Sequence, residues 1–170
     1  QHTLAIRADP RNSSYLLNRA MTQRALGRFD DGVRDCDAGL ALGFQPGEEW
    51  LRLRLVYESA RCKYANRKLG DALQDVDAVL AENREDGWAW LLRGAIKLQI
   101  NPRQPESALK DYLKGFGLTT GELMQPLRQA LYFLREESSE YAVAKIEEAA
   151  KHDDALEPLA KHFRQELAAA

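Results

Sequence analysis

The sequence predicts an all-α chain built as a stack of antiparallel helix pairs, and three observations lead there. The first is a recurrence of small residues. Ala20, Ala60, Gly94 and Ala130 are each followed about a dozen residues later by Gly32, Ala72, Ala108 and Ala142. Cys36, Val76, Tyr112 and Ile146 stand one helical turn further on, and Gly39, Val79, Gly115 and Ala149 close each unit. Steps of 40, 34 and 36 residues along the first ladder give a period near 34 with two insertions, the mark of stacked repeats. The second observation is apolar spacing of three, four and seven with no sustained alternation, which is helical. The third is turn punctuation at Pro46-Gly47, Asn66-Arg67, Asn101-Pro102 with Pro105, and Thr119-Thr120-Gly121. Two small residues per unit fit two helices whose backbones approach closely where they cross.

In chain order, residues 1–12 read as the tail of a preceding repeat, because Ala5 lies 34 residues ahead of Gly39 and Asp9-Pro10 follows it. The first unit is 13–46. Leu16, Ala20 and Leu26 lie on one side of its first helix, Gly27-Arg28-Phe29-Asp30 turns the chain, and Val33, Cys36 and Leu40 mark the second stripe. Residues 47–52 are extra and no breaker follows them, so they lengthen the first helix of the second unit, 53–86, which should start near Pro46. The third unit is 87–122, with two added residues in the turn from Asn101 to Glu106. Thr119 and Glu122 stand at capping-box spacing ahead of the fourth, 123–156. Leu156, Leu159, Phe163 and Leu167, with Pro158 near the start, predict a C-terminal capping helix over 157–170 that covers the exposed end of the stack. The chain opens at Gln1 inside what reads as a repeat, which is expected of a piece of a longer protein. Ala168 to Ala170 either continue the last helix or are a cloning remnant.

Composition narrows the function classes. With 170 residues, 45% of them hydrophobic, the chain can bury about 70% of its unfolded surface. A net charge of -2 and a pI near 6.0 argue against a nucleic-acid partner, which usually requires a basic face. No apolar run approaches the length needed to span a bilayer. His2, His152 and His162 show no metal-binding spacing and are expected at the surface, and no Gly-rich phosphate loop or nucleophile elbow occurs. Neither a metal, a cofactor nor a catalytic constellation is expected. Cys36 reads as a small buried hydrophobe and Cys62 lies on the adjoining helix; their proximity leaves a disulfide open, but its narrow geometry makes free thiols the expectation, which favours a reducing compartment, the cytoplasm. A signal in a longer chain would move it to the periplasm or elsewhere.

Trp90-Leu91-Leu92-Arg93-Gly94 and Ser107-Ala108-Leu109-Lys110-Asp111-Tyr112-Leu113-Lys114-Gly115 resemble the two helices of a tetratricopeptide (TPR) repeat. Asn18-Arg19-Ala20 and Gly27 through Gly32 are similar in style, and the fourth unit diverges most. The resemblance covers nearly the whole chain. It implies a right-handed superhelical solenoid whose first helices line a concave face, and a scaffold that binds proteins. On that face the first helices would present Leu17, Asn18, Met21 and Arg24, then Arg54, Tyr57, Arg61 and Tyr64, then Trp88, and finally Arg128 and Arg135. Leu91, Leu127 and Leu131 read as packing residues instead. Arginines among Tyr, Trp and Met suit an acidic segment with apolar anchors. The co-chaperone members of the family clamp a C-terminal carboxylate with Lys, Asn and Arg, but only Asn18 matches here, while Met21, Glu58 and Leu92 stand where others belong. The expected function is non-catalytic binding of a partner's peptide segment in the groove. The alternatives are an accessory positioning domain of a larger enzyme, or self-association through Trp50.

Overall fold

The computed structural model describes residues 12–119, 124–135 and 139–169. Helix α1, Ser13–Ala25, begins where Asn12 turns extended and its side-chain oxygen accepts from the amides of Ser14 and Tyr15, satisfying two donors that a helix start leaves open. It ends at Gly27 with φ 73°, where the Arg28 amide donates to the Gln23 carbonyl at 2.8 Å. Leu26, expected on the core side, lies past the helix end and is exposed. Helix α2, Phe29–Ala41, completes the first pair. Helix α3, Glu49–Ala65, has 17 residues where its described counterparts have 12 to 14, the lengthening that the extra residues predict. It starts at Glu49 rather than near Pro46 because Gly47 takes φ 92°, outside the helical region. Its other end repeats the α1 closure, with Arg67 at φ 61° and the Lys68 amide donating to the Lys63 carbonyl at 2.9 Å, before α4, Leu69–Glu82.

The chain divides into two compact units, Gln1–Glu82 and Asn83–Ala170. In the first, α1 packs on α2, α3 on α4, and α3 on both helices of the preceding pair. Ala20, Cys36, Ala60, Ala72 and Val76 have no solvent exposure. A methyl group at Gly32 would stand 2.7 Å from the Cys62 sulfur and 3.2 Å from the Ala20 carbonyl, so this crossing requires glycine.

In the second unit, α5, Gly87–Ile100, is capped by Asp86, which accepts from the Ala89 amide at 3.1 Å. It packs on α6, Glu106–Leu118, with the Tyr112 ring over Gly94 and Leu91 over Gly115. Helices α7, Met124–Arg135, and α8, Ser139–Ala150, form the next pair, with α7 against α6. A 3-10 turn, Asp154–Leu156, leads into α9, Glu157–Ala169, with Pro158 in its first turn. The expected capping helix packs on α8 and also reaches back to α5, as does the 3-10 turn. The Tyr112 hydroxyl donates to the Ala155 carbonyl at 2.7 Å and ties this return in place. Thr119 ends α6, and its hydroxyl donates to the Gly115 carbonyl; Glu122, its expected capping-box mate, lies outside the described residues, as do residues 1–11 and Ala170. Among the described residues there is no strand.

Candidate functional site

The first unit carries eight of the expected face residues on α1 and α3, which touch each other. Leu17 is buried, Asn18 and Arg24 are half-buried, and Met21 is exposed. On α3, Arg54 is exposed and lies 5.7 Å from the Tyr57 ring centroid, Arg61 is half-buried, and Tyr57 and Tyr64 are buried. Reachable chemistry on these two helices therefore comes from Met21, Arg54 and Arg61, with the tyrosines mostly inside the wall. Arg24 is engaged: its Nε donates to Glu58 at 2.6 Å, and Glu58 is 3% exposed. In the sequence Glu58 shows only as a departure from the clamp pattern. Its place one helix over from Arg24 becomes visible only when α1 and α3 are packed.

In the second unit Trp88, near the start of α5, is half-buried, and Arg128 on α7 is exposed. Arg135 is the last residue of α7, and its side chain lies outside the described residues, as do those of Met124 and Leu131. Leu91 and Leu127 are buried packing residues. Trp90 is held by its indole N–H on the Arg84 carbonyl, with Arg93 and Lys114 each 4.3 Å from the ring centroid. A shallow cleft of about 430 Å³ between α7 and α8 is lined by Arg128, Gln129, Tyr132 and Lys145. A second, apolar recess of about 140 Å³ lies among Leu109, Tyr112, Leu113 and Phe116 of α6 and Leu159 and Phe163 of α9.

The two thiols are buried together in the first unit. Burial raises both, Cys36 strongly and Cys62 to about 12, with Glu58 adding to each, so neither sulfur is a nucleophile at neutral pH. His162, expected at the surface, is half-buried with its ring 5.7 Å from Phe163, whereas His152 is exposed. Among the described residues no group of three or more His, Cys, Asp or Glu is placed to hold a metal ion, and no helix is long and apolar enough to cross a membrane.

No family model matches the sequence, and no curated protein matches it. Among solved structures the chain is similar to the crystal structure of MamA, with 16% identity and a TM-score of 0.58 over 90% of this chain and 85% of that one. At that identity the likeness is one of fold. It agrees with the all-α fold of consecutive helix pairs described above.

Proposed function

We propose that this chain is a non-catalytic protein-interaction module that binds a peptide segment of a partner along its first helices. The observation that carries this reading is the division of labour on α1 and α3. Buried ladder residues and the Arg24–Glu58 pair hold the two helices together, while Met21, Arg54 and Arg61 stay within reach of solvent. Such a surface suits an acidic segment with apolar anchors, in which apolar contact at Met21 supplies affinity and the arginines supply selectivity. The fold supports the same reading, because helical repeats of this kind offer an extended surface for proteins.

Binding of a native partner segment to the wild-type chain and to Met21→Ala and Arg61→Glu variants tests the proposal. Met21→Ala should weaken binding about fivefold, with little dependence on salt. Arg61→Glu should discriminate against acidic segments, by a margin that shrinks as salt screens it. A partner indifferent to both changes, with both variants helical and cooperative, would refute the first-helix face. Self-association has one specific observation in its favour: Trp50, on the lengthened start of α3, is 59% exposed. Sedimentation of wild type and Trp50→Ser over a concentration series decides it, since a monomer throughout removes that alternative.

A further inference from the structure

Three helix pairs share an internal ion pair at one register. Asp35, Asp75 and Asp111 each immediately precede the large ladder residue of a second helix, and each accepts from the first helix of its own pair. Arg19 grips Asp35 with two guanidinium nitrogens, Ser59 and Lys63 hold Asp75 at 2.8 and 2.6 Å, and Arg93 and Lys97 both hold Asp111 at 2.8 Å. The fourth pair breaks this rule. Lys145 precedes Ile146 where an aspartate is due, and Gln129, which precedes Ala130, stands where Arg19 and Arg93 stand. The acid has been exchanged for a base, and its opposite number is an amide. Both residues line the cleft between α7 and α8, together with exposed Arg128 and exposed Tyr132.

We propose that this cleft, basic where the other three pairs are internally neutralised, receives a carboxylate from a bound protein segment. Lys145 and Arg128 give two positive charges on facing helices, Gln129 an amide donor, and Tyr132 a ring against which the methylenes next to the carboxylate can lie. Glu148 currently engages Lys145 at 2.8 Å, one helical turn away on the exposed face of α8. Exposed pairs at that spacing are weak and readily exchanged for an incoming carboxylate. The ligand is a carboxylate because Lys145 and Arg128 put two cations at the cleft, and carboxylates are the anionic groups that an unmodified protein segment carries. The inference rests on the reading of the chain as a binder of protein segments, and extends it to α8, which that reading does not use.

The test is a titration of the ¹⁵N-labelled full chain with a short Asp- and Glu-rich peptide, free or amidated at its C-terminus, against an Asn/Gln peptide of equal length. The acidic peptide should shift the amides around Gln129 and Lys145, less so as salt is added. Lys145→Glu should lower its affinity about fivefold or more, and Glu148→Gln, which removes the competing carboxylate, should raise it about twofold. Loss of binding on amidation assigns the C-terminal carboxylate, and equal binding of both forms assigns a side chain. Equal binding of the Asn/Gln peptide, or unchanged affinity in a Lys145→Glu protein that keeps its helical signal, overturns the proposal. Sensitivity to Lys145→Glu without sensitivity to Met21→Ala or Arg61→Glu would keep this subsite and reject the face on α1 and α3, and the reverse would reject the subsite alone.

Discussion

At Gly115 an added methyl group would sit 2.6 Å from Leu91 and 3.1 Å from the Gly87 carbonyl, so neither a side chain nor the backbone leaves room for it. A methyl group added at Gly94 would stand 2.9 Å from the Tyr112 ring, and that ring cannot swing aside because it is fully buried and its hydroxyl is bound to Ala155. Gly70, inside α4, meets nothing within 4 Å. We expect Gly115→Ala to lower stability by about 2 kcal/mol or more through overpacking. Gly70→Ala should raise it by about 0.5 to 1 kcal/mol, because alanine loses less backbone freedom on folding. Urea midpoints of the two variants measure both, and a similar shift for each would contradict the packing described for α5 and α6.

Between helices, two features govern the first unit. The turns after α1 and α3 close in the same way, yet one places Gly27 and the other Arg67 in the left-handed region. Arg67→Gly should therefore stabilise the chain by up to about 1 kcal/mol, read as a rise in thermal midpoint. The Arg24–Glu58 pair joins α1 to α3, with the half-buried guanidinium covering a carboxylate that is almost out of contact with water. Arg24→Met would leave a buried carboxylate without its cation and should cost about 3 kcal/mol, whereas the Arg24→Met/Glu58→Leu double variant should recover most of the loss. Chemical denaturation of these proteins together with the Glu58→Leu single variant gives the coupling, and additive losses would show that the pair does not interact. Helix α3 itself was legible in the sequence, including its extra length. Its first residue was not, because the positive φ of Gly47 is a property of the folded turn.

For the whole molecule, the buried thiols link stability to pH. An unfolded cysteine ionises near pH 8.5, whereas folded Cys62 holds its proton to about 12 and Cys36 is raised as well. Above about pH 8.5 the unfolded chain thus releases protons that the folded chain keeps, and stability falls as pH rises, by up to about 1.4 kcal/mol per pH unit for each thiol. Urea midpoints between about pH 7.5 and 10 should fall less steeply in Cys62→Ala than in wild type. Parallel slopes would mean that the sulfur is not shielded in the fold.

By itself the sequence determined the helix class, the pairing and the small-residue ladder, because a 34-residue period and close helix crossings leave their mark on residue size at fixed spacing. Ala20, Ala60, Ala72, Ala108, Ala130 and Ala142 are all buried where that spacing puts them. It also contained the departure at Lys145, which shows against Asp35, Asp75 and Asp111 once the register is known. Tertiary structure alone decided which face residues remain reachable, since Tyr57 and Tyr64 have the composition of anchors but sit in the wall, and Arg24 is consumed by Glu58. It likewise decided the course of α9, whose apolar stripe would suit any uncovered helix. Its return to α5 depends on the Tyr112 hydroxyl and Ala155 meeting across 43 residues, a separation that no local pattern encodes.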